Sequence, residues 1–212
     1  QNLPVIFCID RAGLVGEDGA THQILEDIGM MQMLPNMVVI NPADYEQTRQ
    51  ATIAIAKHHG PVYLRFGRPK VPVFYNKSDK FEIGKADVLM TGTDVTIIAT
   101  GHLVWEALQA AQELKAKGVR AEVINMHTIK PLDAKAILDS ASKTGRVVTA
   151  EEHQKLGGLG ESVAQVLAEN LPTPMRFVAV EDSFGESGKP AQLMEKYGLT
   201  SANIVSKAME IM

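Results

Sequence analysis

The sequence predicts an α/β fold built on parallel sheets, and three observations carry that prediction. Short apolar runs of strand length alternate with longer runs of helical period, and Gly or Pro punctuates most of the changes. The rhythm β-α-β-α-β favours crossover connections and so parallel pairing. Across 212 residues, 45% are hydrophobic and 22% charged. That is enough to build a sizeable core and too apolar for disorder.

Leu3 to Ile9 reads as the first strand, ending at Asp10, and the loop Arg11 to Gly19 that follows carries three glycines. Thr21 to Leu34 reads as a helix, because Ile24, Leu25, Ile28, Met31 and Leu34 recur at helical spacing and Thr21 can cap it. Met37 to Ile40 is the second strand, Asp44 to about His59 a second helix, and Val62 to Phe66 the third strand. Pro69, Pro72 and the polar stretch Asn76 to Lys80 then break the rhythm. Residues 1–70 thus form a first unit, 71–88 a linker and 89–212 a second unit. In that second unit strands are expected at Val95–Ala99, Ala121–Asn125, Val147–Ala150 and Phe177–Val180. Helices are expected over Leu103–Lys117, Asp133–Lys143, up to Asn170, and Ser201–Met212. Four strands suffice for a doubly wound sheet, whereas three are thin for the first unit.

Charge and cysteine count exclude several function classes. With 21 Lys+Arg against 25 Asp+Glu, the net charge of −4 argues against nucleic acid as the main partner. No apolar run reaches the ~20 residues of a membrane span. A single cysteine, Cys8, excludes an internal disulfide and points to a reducing compartment such as the cytoplasm. Gln1 opens without a signal pattern, directly before a strand, and reads as entry partway through a domain.

Ligands of open parallel sheets sit beyond the carboxyl ends of the strands. The loop after the first strand gathers Asp10, Arg11, Glu17, Asp18 and His22 there, groups able to hold a polyhydroxylated molecule and move its protons. The same residues read equally well as helix caps and a surface histidine. Arg65 and Arg68 follow the third strand, where a guanidinium can grip phosphate or carboxylate, although alone they read as surface arginines. Gly157-Gly158-Leu159-Gly160 precedes a helix but lacks the G-x-G-x-x-G pattern, so close packing outweighs phosphate binding there. His58-His59 reads as structural and His153 as ambiguous, while His102 and His127 have no acidic neighbour in sequence. No spacing fits a metal site and no G-x-S-x-G elbow is present. The residues alone lead to an α/β protein that handles a small polar ligand.

The motifs lead further. Val15-Gly-Glu-Asp-Gly-Ala-Thr-His-Gln23 resembles the pyrimidine-domain signature of transketolases. Leu34-Pro-Asn-Met37, Asn41-Pro-Ala-Asp44 and Gly60-Pro-Val-Tyr-Leu-Arg-Phe-Gly-Arg68 follow in that family's order. Ala99-Thr-Gly101, Ile129-Lys-Pro-Leu132, Thr149-Ala-Glu-Glu-His153, Gly157-Gly-Leu-Gly160, Phe184-Gly-Glu-Ser-Gly188 and Tyr197-Gly-Leu199 resemble the transketolase C-terminal domain. The likeness covers essentially the whole chain and is nearest to the C-terminal subunit of split transketolases. One departure stands out: Asp10-Arg-Ala-Gly-Leu-Val-Gly16 resembles 1-deoxy-xylulose-5-phosphate synthase, where transketolases carry Thr-His-Asp.

The resemblance implies part of a thiamine diphosphate pyrimidine-binding domain followed by a doubly wound transketolase C-terminal domain. It implies transfer of a two-carbon ketol unit from a ketose phosphate to an aldose phosphate, as in the pentose phosphate pathway. His22 would sit beside the cofactor aminopyrimidine and the donor hydroxyls, Asp18 would bond a substrate hydroxyl, Arg68 would grip the sugar phosphate, and Arg11 would contact it by analogy with the synthase. The diphosphate and Mg2+ would rest with the other domain, on an N-terminal partner subunit. The glutamate that activates the cofactor would lie upstream of Gln1, so the isolated chain is expected to be inactive. The C-terminal domain would stabilise a homodimer. The synthase reaction, a 2-oxoacid dehydrogenase β-subunit and a non-catalytic assembly subunit stand as alternatives.

Overall fold

The computed structural model describes residues 2–14 and 16–212; Gln1 and Val15, the latter opening the Val15–Gln23 motif, lie outside them. The first sheet runs β1-β3-β2-β7, from strands β1 (Ile6–Ile9), β2 (Val38–Ile40), β3 (Val62–Arg65) and β7 (Thr128–Lys130). The second runs β4-β6-β5-β8-β9, from β4 (Asp87–Met90), β5 (Val95–Ala99), β6 (Ala121–Asn125), β8 (Val147–Gln154) and β9 (Met175–Val180).

β1, β3 and β2 pair in parallel, as expected. The fourth strand, β7, comes from beyond the linker and pairs with β2 antiparallel. Three residues are too short to show any period, so this strand is not readable from sequence. Likewise β4 lies partly in the expected linker, and pairs antiparallel with β6 at the sheet edge. Helix α6 (Pro190–Lys196) is a further addition to the expected elements, although its Pro at the first turn is a typical start.

Both sheets are covered on two faces. In the first, Val62 and Leu64 pack with α2 (Tyr45–Ile55), while Tyr63 turns to the opposite face with Ile28 of α1 (Asp27–Gln32). That division follows from side chains alternating along a strand. In the second sheet Ile97 and Ala99 face α3 (Leu103–Ala116) and α7 (Ser201–Met209), and Ile98 faces α4 (Ala134–Thr144) and α5 (Leu159–Asn170).

The helix expected over Thr21 to Leu34 is corrected. Ala20–His22 forms one 3-10 turn, the chain then runs extended, and only Asp27–Gln32 is α-helical. Tertiary pairing claims the intervening backbone: Gly13 N donates to Ile24 O at 2.9 Å and Gln154 N to Leu25 O at 2.7 Å. Thr21 caps nothing, its hydroxyl being 3.0 Å from His22 Nδ1. The second helix ends at Ile55, short of His58-His59.

Nor does the linker hang free. Asp44 caps α2 through Oδ1, which accepts from Gln47 N at 2.9 Å, and its Oδ2 accepts from Phe74 N and Tyr75 N at 2.8 Å each. Tyr75 then donates to Asp87 at 2.6 Å and accepts from Asn125 Nδ2 at 2.9 Å.

Arg65 is not the surface residue that its sequence context favours. Its guanidinium is fully buried, donating from Nε to Asp27 Oδ2 and from Nη2 to Glu152 O, both at 2.8 Å. Tyr63 donates to the same Asp27 oxygen at 2.8 Å, and burial together with that carboxylate pushes its phenol well above the ordinary value. Strands from both sheets, β3 and β8, and helix α1 thus meet on one ion pair. Removing one member of such a pair strands the other charge in the core. Asp27→Ala is expected to lower the unfolding free energy by about 3–5 kcal/mol, read from chemical denaturation; a loss below about 1 kcal/mol would show that the pair is dispensable.

Candidate active site

The loops after β1 and β3 lie side by side at the carboxyl ends of parallel strands. Phe66 N donates to Ile9 O at 3.0 Å and Ala12 N to Phe66 O at 3.4 Å. This brings three of the four candidate residues together. Asp18 Oδ2 accepts from Arg68 Nη1 at 2.5 Å and from Arg11 Nη1 at 3.4 Å. Asp18 caps no helix, and its Oδ2 is shared by the two guanidiniums. All three side chains remain open to water, with Asp18 34% exposed, Arg68 45% and Arg11 51%. Such pairs contribute only about 0–1 kcal/mol to stability. Two cations on one anion leave a net positive cluster with unused N–H donors, which is the charge pattern for a tetrahedral anion.

His22, exposed in the 3-10 turn, donates from its backbone N to Gly19 O at 3.0 Å. Among the described residues no hydrogen bond joins its ring to the Asp18 cluster. Asp10 and Glu17 are exposed without side-chain partners among those residues. Beside the Arg68 loop lies a cavity of about 550 Å³, bordered by Ala43, Tyr45, Phe66, Gly67, Val71 and His102. From the far end of the chain, Gln23 Nε2 donates to Glu186 O at 3.0 Å and a Cβ on Gly19 would meet Ser187 Oγ at 2.5 Å. The Phe184 to Gly188 segment therefore rests against the candidate loop.

The glycine turn before α5 is already filled by a protein carboxylate. Glu151 accepts from Leu159 N at 2.6 Å and from Gly160 N at 2.8 Å, occupying the donors that a phosphate would use. A Cβ on Gly158 would fall 2.1 Å from Glu151 Oε2, and one on Gly160 would fall 2.6 Å from Phe177 Cδ1. Packing is the role of these glycines. Burial pushes the Glu151 carboxyl up to about 7, against the pull of those two N–H groups and Arg65.

The histidines need one correction. The sequence offers no acidic neighbour for His102 or His127, yet His102 Nδ1 lies 3.3 Å from Glu152 Oε2, and His127 Nε2 lies 3.7 Å from Asp87 Oδ2. Their partners are 50 and 40 positions away, a separation that local inspection does not bridge. His153 resolves as structural: its Nε2 accepts from Gly29 N at 3.3 Å and its Nδ1 donates to Gln154 O at 2.7 Å. Among the described residues no group of three His, Cys, Asp or Glu is placed to hold a metal ion.

Residues 1–73 match the pyrimidine-binding domain of transketolase, and residues 84–204 match the transketolase C-terminal domain. The chain belongs to the transketolase family. Transketolase relatives include a 6-deoxy-6-sulfo-D-fructose transketolase subunit of Clostridium sp. strain MSTE9, 48% identical over 94% of this chain and 62% of its own length. A subunit of an apulose-4-phosphate transketolase from Phocaeicola vulgatus is 40% identical over 99% of this chain and 67% of its own. A solved split-gene transketolase, described as an inactive beta4 tetramer, superposes with a TM-score of 0.94 at 45% identity, over 99% of this chain and 67% of that one. The chain thus spans 62–67% of the length of these transketolase relatives.

His127 sits under the ring of Phe81, with centroids 4.3 Å apart, and burial lowers its pKa from 6.5 to about 4 although Asp87 and Asp133 favour the charged form. Between those two values the unfolded chain carries a proton that the native one does not, so stability falls as pH drops from 6.5 towards about 4. His127→Phe cannot titrate and is expected to flatten that part of the pH–stability curve, measured by urea unfolding. Parallel curves for parent and variant would show that another group sets the acid sensitivity.

Proposed function

We propose that this chain is the C-terminal subunit of a thiamine diphosphate-dependent transketolase, moving a two-carbon ketol unit from a ketose phosphate to an aldose phosphate. The observation that carries the proposal is the convergence of Arg68 and Arg11 on Asp18 at the carboxyl ends of β1 and β3. In this reading Arg68, with Arg11 beside it, binds the terminal anion of the sugar. The substrates named for the two relatives carry a sulfonate or a phosphate, anions of one shape. Asp18 accepts from a sugar hydroxyl and selects its configuration. His22 borders the cofactor aminopyrimidine and exchanges a proton with a donor hydroxyl.

Thiamine diphosphate, when bound, supplies the electron sink for breaking the ketose C2–C3 bond. An exposed imidazole tethered, among the described residues, through Nδ1 alone suits a place beside that group. The diphosphate and Mg2+ are assigned to an N-terminal subunit, in line with the relative described as an inactive beta4 tetramer. Two copies of the chain are proposed to pair through the C-terminal domain, and the cytoplasm is the proposed compartment.

The test uses the full-length chain assembled with its N-terminal subunit, thiamine diphosphate and Mg2+. Xylulose 5-phosphate with ribose 5-phosphate is expected to turn over, and pyruvate with glyceraldehyde 3-phosphate is not. Turnover only of the second pair would make the chain part of a deoxyxylulose-phosphate synthase. The isolated chain is expected to show no activity, and clear turnover by it would overturn the shared-site proposal. His22→Ala should lower kcat by roughly 10²–10⁴-fold with assembly by size-exclusion unchanged; full activity would remove His22 from the site. Losing a charge-assisted bond to an anion, Arg68→Ala should raise KM for the sugar phosphate roughly 10–100-fold.

A further inference from the structure

Two separate loops supply the proposed anion clamp, and something must hold them in one register. We infer that Glu152, acting with His102, is the positioning pair of that clamp, by which the C-terminal domain sets where Arg11 and Arg68 stand. The inference rests on the clamp reading above.

Glu152 lies on β8, in the second sheet, with a side chain only 3% exposed. Its two carboxylate oxygens divide their work. Oε1 accepts from Leu14 N at 2.7 Å, in the loop after β1, and Oε2 lies 3.3 Å from His102 Nδ1. The loop backbone rests directly on the carboxylate: Gly13 has φ 81, and a Cβ there would lie 2.3 Å from Glu152 Cδ. On the other side His102 forms the seat of the second loop, since a Cβ on Gly67 would lie 2.2 Å from His102 Cε1. Gly13 is two residues from Arg11, and Gly67 adjoins Arg68.

Each clamp arginine therefore hangs from a glycine pressed against one member of the same pair. A neutral side chain of equal size could fill the space but would not offer two charged oxygens to an N–H and an imidazole. Burial pushes the Glu152 carboxyl up, yet His102, Arg65 and the Leu14 N–H outweigh it and hold it below the ordinary value. Arg65 also takes the Glu152 carbonyl at 2.8 Å, fixing the backbone from which the side chain projects.

A positioning role differs from a purely structural one in what it changes. In the assembled enzyme, Glu152→Gln is expected to raise KM for the phosphorylated donor about tenfold while kcat stays within about twofold. KM for the same ketose without its phosphate should not move. His102→Ala should behave alike, and His102→Asn, which keeps an N–H towards Glu152, should recover most of the loss. In an Arg11→Ala/Arg68→Ala background Glu152→Gln should add nothing further, because no clamp contact is left for it to misplace. If Glu152→Gln fails to assemble, the two His102 variants carry the test.

Equal losses for both donors, or a loss confined to kcat, would mark a structural role and overturn the inference. Unchanged KM in Glu152→Gln and His102→Ala, with Arg68→Ala still impaired, would overturn it and leave the clamp standing. Unchanged KM in Arg68→Ala would overturn the clamp, and this inference with it.

Discussion

A guanidinium that is entirely cut off from water is the constraint on which the rest of this structure depends. Arg65 cannot shed its proton, so burial is tolerable only if its donors are met. Asp27 from α1 takes the Nε donor and the Glu152 carbonyl from β8 an Nη2 donor, and the Asp27 carboxylate balances the charge. The end of a strand in the first sheet is thereby tied to a helix on its own face and to an inner strand of the second sheet. Apolar packing alone would allow the two units to slide, since it is non-directional. An ion pair with fixed hydrogen-bond geometry does not allow that.

From that anchor the chain sorts its charges by depth. Glu151 and Glu152 are adjacent, and both are buried. Glu151 turns to the N-terminus of α5 and satisfies its free N–H groups, which removes the glycine turn as an anion site. Glu152 turns the other way, to Leu14 and His102 beneath the strand-end loops. Above this buried layer, Arg11, Asp18 and Arg68 remain open to water. The proposed anion site has such an arrangement: exposed groups that exchange partners readily, on a base of buried ion pairs and hydrogen bonds.

In the proposed reading, the same layering lets one framework serve the different sugars for which the relatives are named. A clamp of guanidiniums answers to a tetrahedral anion and is indifferent to whether sulfur or phosphorus lies at its centre. Discrimination among sugars then falls to groups that meet hydroxyls, and Asp18 and the Phe184 to Gly188 segment beside its loop are the nearest candidates. The proposed division of the site between two chains follows the same logic. A sheet end can present half of a pocket, while cofactor diphosphate and metal require a donor set of their own.

What the sequence determined by itself was the alternation of elements and the place of the candidate loops, because these depend on local period and on turn residues. The strands expected over Val62–Phe66 and Val95–Ala99, found at Val62–Arg65 and Val95–Ala99, and the loop that opens at Arg11 were legible in that way. Tertiary structure alone decided the rest. Ile24 and Leu25 carry helical spacing, yet their backbone is taken by Gly13 and Gln154, and long-range pairing outweighs a local propensity of a few tenths of a kcal/mol. Thr128–Lys130 is too short to announce itself as a strand, and becomes one only because β2 offers a free edge. Arg65 and Arg68 look alike in sequence, three residues apart on the same strand end. One is buried and the other exposed, because Arg65 still lies in the β3 ladder, beneath α1, while Arg68 lies in the loop beyond it. His102 and Glu152, separated by 50 positions, become partners only when β5 and β8 pair side by side in parallel.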